Sequence, residues 1–477
     1  MLEYRSAAFA LAALLALAAP ASAAEQRAEV IHWWTSGGES AAVKVFADQF
    51  QAAGGIWVDT AIAGGANART AAINRTVGGS PPSAMQLNTG KQFDDLVEND
   101  LLANVDAQAA AQNWKAILPP SFLQAVTRNG HEYAVPVNIH GQNWLFYSTA
   151  ALAKAGVPPP TNWDDLFPTL DKLKAAGLIP LAFSGQQNWE RNLFNNVLVG
   201  RGGRDLFVAL WGKRDVAMVK GPEFRNIAET FKRLRGYVDP GSPGRNWNDA
   251  TNLVIQGKAG MQFMGDWAKG EFTAAGQTPG KEYGCTVLSD HGIAYVMGGD
   301  VFVFPRLKDA NQTKAQQLLA RVLLEPDTQI KFAQKKGSIP VRLDVDTSTL
   351  DACARKASGW IHDANAQVPA NEMLSPPALT GAIQDLISQY WNDPNMSTDG
   401  FITKVANTLT QQLWTDGPYA HRLPPVHAPG AGAGAPDRFG GLLWRDGVDD
   451  LDIVHQLAHA AEFGVRRPAA IHQPDRQ

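Results

Sequence analysis

The sequence predicts an α/β protein of two lobes, each an open, mostly parallel sheet flanked by helices, with a ligand held in the cleft between them. Three observations predict it. From Val30 onward short apolar runs alternate with amphipathic stretches, the rhythm of βαβ units. Passages marked by Pro136 and by Gly337-Ser338-Ile339-Pro340 interrupt that rhythm, and a new pattern follows each. The 477 residues, 45% hydrophobic and 18% charged, hold enough apolar material for two ordinary cores.

Taken in order, residues 30–34 read as a strand, 40–53 as a helix and 56–62 as a second strand. A helix is expected over 68–77; Gly78-Gly79-Ser80-Pro81-Pro82 breaks it, and 84–87 suits a third, buried strand. Sheets of this kind bind ligands outside the carboxyl ends of their strands, which is where Trp33, Trp34 and residues 35–39 fall. Two adjacent residues of an extended strand face opposite ways, so Trp33 and Trp34 are expected to diverge. Thr161-Asn162-Trp163-Asp164-Asp165 opens a helix through a capping side chain and early acids. Residues 292–304 read as one strongly apolar strand, and no internal repeat is visible. The chain is expected to divide into 24–136 plus 292–336 as the first lobe and 137–291 plus 337–416 as the second.

The two ends read differently. An Ala/Leu run over 7–19 follows Arg5 and leads into Ala21-Ser22-Ala23, a small-residue pattern suited to signal peptidase. Residues 1–23 are therefore expected to be a signal peptide cleaved near Ala23, the run being shorter than the roughly 20 apolar residues that cross a bilayer. No cysteine follows directly, so a lipid anchor at that point is not expected, and the mature chain should be periplasmic. After Trp414 the composition changes. Pro424, Pro425 and the proline-glycine-alanine run over 429–436 suit a connector, so 417–477 reads as a flexible or foreign tail. His455 and His459 lie one helical turn apart but lack the glutamate base of a zinc helix, so no metal is assigned.

A formal net charge of -4 lacks the basic excess that drives binding to nucleic acid or anionic membranes, and a neutral small ligand fits better. No nucleophile elbow, phosphate loop or cofactor motif is present. Cleft carboxylates could still be paired in space, so a secreted carbohydrate-active enzyme is one alternative, and a binder of a different sugar or an oligosaccharide is another. Of 14 tryptophans, Trp34, Trp189, Trp247 and Trp267 sit among polar or glycine-rich neighbours. Indole faces suit the C–H face of a pyranose, with core packing the rival role for each. Cys285 and Cys353 are the two cysteines. In an oxidising compartment such a pair reads as a disulfide, two buried thiols being the alternative.

His32-Trp33-Trp34-Thr35-Ser36-Gly37-Gly38-Glu39 resembles the start of mature glucose-binding proteins of the bacterial ABC-importer family, the family 1 extracellular solute-binding proteins. The likeness continues through GGSPPSAMQLNTGK (78–91), VPVNIHGQNWLFY (135–147), GKAGMQFMGDWAKG (257–270), Gly298-Gly299-Asp300, the 336–340 stretch and Leu350-Asp351-Ala352-Cys353, in colinear order over most of 30–413. The resemblance implies the periplasmic-binding-protein fold of type II. It implies a monomer that binds a monosaccharide, a glucose-like hexose, without chemistry and delivers it to ABC-importer permease subunits. By that likeness Trp33 and Trp34 wall the sugar, Glu39 accepts its hydroxyls and Lys91 donates to them. Trp267 beside Asp266 supplies the opposing face and Asp300 a further acceptor, and His140 and Lys336 complete the set. Plainer roles compete: a first-turn helix acid for Glu39, a solvated lysine for Lys91, a turn residue for Asp300.

One stretch departs from the family pattern. Val368-Pro369-Ala370-Asn371-Glu372-Met373 stands where those proteins carry a Ser-x-Ala-His-Gly-Met-like segment, so Asn371 replaces a ligand-contacting histidine. A buried hydroxyl left unpaired costs about 1 to 3 kcal/mol, so the preference among epimers is expected to shift.

Overall fold

The computed structural model describes residues 26–416; the expected leader and the 417–477 tail, with its histidines, lie outside the described residues. Strand β1 (Gln26–His32) runs parallel to β2 (Gly55–Ala61) and to β3 (Ala84–Asn88). Helix α1 (Gly37–Ala52) joins β1 to β2, and α2 (Gly65–Val77) joins β2 to β3. The start of α1 is set by Ser36 and Glu39, which form a reciprocal capping box that satisfies backbone N–H groups at the helix entry. Ala42, Val43, Phe46 and Phe50 recur at helical spacing and are buried, and Phe46 stacks on Phe332 at 4.1 Å.

Asp300–Val303 and Ala134–Pro136 complete this sheet, in the order β2, β1, β3, Asp300–Val303, Ala134–Pro136. Asp300–Val303 is antiparallel to both neighbours. A second sheet is ordered Tyr283–Thr286, Trp144–Ser148, Ala259–Met264, Ile179–Leu181. It is mixed, whereas the sequence predicts a mostly parallel one: Trp144–Ser148 is antiparallel to both neighbours, and Ala259–Met264 runs parallel to Ile179–Leu181. The cause is the same in both sheets. A parallel neighbour needs a long crossover, and these two strands arrive directly from the segments that pass between the sheets.

Those segments pair with one another. His140–Gly141, Tyr295–Gly298 and Gln367–Pro369 form a small third sheet, and Ile139 and Ile339 exchange backbone hydrogen bonds of 2.9 and 3.1 Å. The single strand expected over 292–304 is therefore two strands in two sheets. Gly299 makes the step between them, since a Cβ there would lie 2.4 Å from the Asn138 carbonyl oxygen. The helix expected after Asn162 is present as Trp163–Ala175, with the Asn162 side chain accepting from Asp165 N–H at 2.9 Å.

The molecule has the two-lobed fold that the sequence predicts. One hydrophobic cluster is built on the first sheet around Trp34, Phe46, Phe302 and Phe332; another lies around Trp163, Phe194, Phe231 and Tyr390. Cys285, on the second sheet, and Cys353, at the start of Ala352–Trp360, form a disulfide across 68 residues, which decides between the bond and two free thiols. Among the described residues no helix is long and apolar enough to cross a membrane.

Candidate functional site

A cleft of about 910 Å³ opens where β1 and β3 end and where the crossing segments meet. Its first-sheet side is laid down by the turn after β1. Trp34 turns inward, 1% exposed, with its ring 5.7 Å from Phe302 and 5.3 Å from Phe332, and it still borders the cleft. Trp33 turns the other way, half-buried beneath the Arg69 guanidinium, whose carbon stands 5.7 Å from its ring. The divergence expected of adjacent residues is thus present.

Four charged groups form the floor. His140 is 5% exposed and lies between two carboxylates: Nδ1 is 2.5 Å from Asp266 Oδ1, and Nε2 is 3.0 Å from Asp300 Oδ2. Burial alone would lower the imidazole pKa, but the two carboxylates outweigh it and hold it above the ordinary histidine value. Burial would likewise raise Asp300, yet the bond and charge of His140, with Lys336 and Asn138, hold it below the usual carboxylate range. Gln86 Nε2 and Asn138 Nδ2 donate to its two oxygens at 2.9 and 2.8 Å. Asp300 accordingly sits at a strand start as the centre of a hydrogen-bonded network, while still facing the cleft.

Glu39 combines both roles considered for it. Its Oε2 accepts from Thr35 and Ser36 N–H at 3.3 and 3.4 Å as a first-turn acid, while Oε1 accepts from Lys336 Nζ at 3.3 Å at the cleft surface. Lys336 is 2% exposed and also stands 5.8 Å over the Trp34 ring. Glu271, which sequence reasoning missed, ties α1 to the segment Ala268–Ala274 by accepting from Ser36 Oγ at 2.7 Å and Gly38 N–H at 2.9 Å. Gly38 permits the approach, since a Cβ there would lie 2.5 Å from the Gly270 carbonyl carbon.

The opposite side is aromatic. Trp247, Trp189 and Trp267 follow one another with ring centroids 6.3 and 5.9 Å apart, and the Trp267 ring meets His140 edge-on at 5.1 Å. All three border the cleft. Among the described residues the Nε1 atoms of Trp34 and Trp267 are buried without a hydrogen-bond partner.

Three expected site residues are placed otherwise. The Lys91 side chain is not among the groups lining the cleft. Gly90, at φ 126°, turns the chain so that the Lys91 backbone N–H donates to the Glu372 carbonyl at 3.2 Å, and Asn88 and Gln92 face the cleft in its place. Asn371 is 1% exposed and packs behind the lining, its amide 3.1 Å from that of Asn195. The next residue, Glu372, reaches the cleft instead. Asp266 supports His140 from behind and accepts from Gly141 N–H at 2.9 Å. Arg69, Arg191, Gln142 and Glu372 border the site too; Gln142 and Glu372 lie in stretches that the family likeness marked through their neighbours His140 and Asn371, whereas Arg69 and Arg191 lie in stretches with no such mark.

The family model of the bacterial extracellular solute-binding proteins matches residues 34–323, which include Trp34, Glu39, His140, Asp300 and the aromatic side. The chain belongs to that family. This solute-binding protein is 36% identical over 396 residues to a Brucella melitensis "Probable sugar-binding periplasmic protein", a match covering 81% of this chain and 93% of that one. A Rhizobium meliloti protein of the same name is 35% identical over 401 residues, covering 83% and 96%. Among solved structures, a chitin oligosaccharide binding protein superposes with a TM-score of 0.69 at 16% identity, covering 81% of this chain and 98% of that one. The bacterial solute receptor AcbH superposes with a TM-score of 0.68 at 17% identity, covering 82% and 99%. The fold of this solute-binding protein is therefore that of the two-lobed, type II periplasmic receptors.

Proposed function

We propose that this protein is the periplasmic sugar-binding component of an ABC importer. It is read as a monomer that leaves the membrane after cleavage near Ala23, holds a monosaccharide of the hexose type in the cleft and passes it to permease subunits. The observation that carries the reading is the run of half-buried indoles, Trp189, Trp247 and Trp267, bordering one cleft together with the hydroxyl-seeking groups of Glu39, Asp300 and Lys336. Indole faces take the apolar face of a pyranose, while Glu39, Asp300 and Lys336 can exchange hydrogen bonds with its hydroxyls. A ligand that touches both sides stabilises the closed form over the open one, which is the differential affinity a transport receptor requires.

The relatives' names support a sugar, and those at lower identity include a "Xylose/arabinose-binding protein" of Haloferax volcanii, 24% identical over 392 residues. The enzyme reading draws less support. Each cleft carboxylate named above is already engaged, Glu39 by Lys336, Asp300 by His140 and Glu372 by Arg191 at 3.3 Å. Titration of intrinsic tryptophan fluorescence with hexoses, pentoses and disaccharides tests the proposal. Saturable one-to-one quenching or enhancement by a hexose is expected; a folded protein that answers none of them would remove the sugar reading.

A further inference from the structure

One corner of the cleft carries more positive charge than its neighbours neutralise. Arg69, on α2, and Arg191, on Gln187–Val208, approach the cleft from different elements. Arg191 Nη2 lies 3.3 Å from Glu372 Oε1, a carboxylate whose other oxygen is 3.5 Å from Gln142 Nε2. The Arg191 Nε is buried and, among the described residues, has no hydrogen-bond partner. No carboxylate among the described residues lies within ion-pair distance of Arg69; its guanidinium rests over the Trp33 ring and lines the cleft. Burial lowers the Arg69 pKa, and Glu372 and Arg191 then act on it in opposite directions. The rest of the charged floor is paired within itself, Lys336 with Glu39 and His140 between Asp266 and Asp300, and holds one more carboxylate than cation, so the unneutralised positive charge is confined to this corner. Among the described residues Arg69 presents a planar fork with no acceptor, beside the Arg191 guanidinium, whose Nη2 is held by Glu372; that pair of cations at one cleft suits an oxyanion that takes parallel N–H bonds from Arg69.

We propose that the ligand is a pyranose carrying an anionic group, a carboxylate or a phosphate, which seats between Arg69 and Arg191. This rests on the sugar reading above and narrows its substrate class. The test is calorimetric titration of the full chain with glucose, glucuronate and glucose 6-phosphate, repeated on Arg69→Gln and Arg69→Lys. One anionic sugar is expected to bind at least about 10-fold more tightly than glucose, and the one that does so identifies the oxyanion. Arg69→Gln should collapse that ratio towards one, and Arg69→Lys, which keeps the charge but loses the fork, should fall between. The preference should also shrink as salt is raised. Glucose binding as tightly as both anionic sugars would overturn this inference while leaving the sugar reading intact. A preference that survives Arg69→Gln would overturn the assigned site. Silence toward all three sugars would overturn the inference, and only silence toward the hexose, pentose and disaccharide panel as well would remove the reading it rests on.

Discussion

On the floor of the cleft Glu39, His140, Asp300 and Lys336 are 7, 5, 4 and 2% exposed, and each already meets an opposite charge. On the facing side Trp189, Trp247 and Trp267 are only partly buried, and the Trp267 Nε1 and Arg191 Nε have no partner among the described residues. The contrast teaches that the two sides divide the work. The floor is costly to desolvate and gains its stability from being complete, so it fixes geometry before any ligand arrives. The aromatic side leaves indole faces to be covered, so it is where ligand affinity should concentrate.

That division can be broken most sharply at His140. His140→Gln removes the cation that two buried carboxylates share, and breaking a buried pair costs about 3 to 5 kcal/mol. Urea unfolding at pH 6 should show a loss of that size. The sign with pH follows from the raised histidine: its contribution is complete below about pH 6.5 and is lost as pH rises through the folded-state value. The stability gap between wild type and His140→Gln should therefore narrow as pH rises. Asp300 acts in reverse; its lowered folded-state pKa gives stability present above about pH 3.9 and lost on acidification. A gap that widened with pH would contradict the assigned charge states.

The disulfide offers a control that touches stability away from the cleft lining. Replacing Cys285 and Cys353 together by serine should cost about 4 kcal/mol in the chain-entropy description, measured by thermal or chemical unfolding. Ligand affinity, measured at a temperature where both forms are folded, should change little.

Trp267→Ala probes the other side. Loss of an indole face should weaken sugar binding by about 2 kcal/mol, roughly 30-fold, in calorimetric titration. Its melting temperature should move much less than that of His140→Gln. The smallest effect belongs to Lys91→Ala. Its side chain stands outside the cleft lining, so affinity should change by less than about 0.5 kcal/mol.

The alternation that marks β1, α1, β2, α2 and β3 was legible because burial of one face leaves a period in the sequence. The capping side chain of Asn162 was legible for a similar local reason. The two strands of 295–303 were not, because both are fully buried and the step between sheets at Gly299 depends on the distant Asn138 carbonyl. In the site, indoles among polar neighbours announced Trp189, Trp247 and Trp267, since such residues are seldom spent on loops. Arg69, Arg191 and Glu372 gave no such signal. Their proximity comes from the fold, which brings α2, Gln187–Val208 and the Asn371–Leu374 helix, elements far apart along the chain, to the border of one cleft. Lys91 and Asn371 show the converse: a motif can place a residue in the right segment, while the local backbone, at Lys91 the turn at Gly90, decides whether its side chain or its neighbour's faces the cleft.

The most direct test of the central claim is a crystal structure of the protein grown with the sugar that titrates most tightly. One pyranose is expected in the cleft, its ring in contact with Trp267 on one side and bordered by Trp34 on the other, and its hydroxyls bonded to Glu39, Asp300 or Lys336. A sugar found elsewhere on the surface, with that cleft holding only solvent, would contradict it.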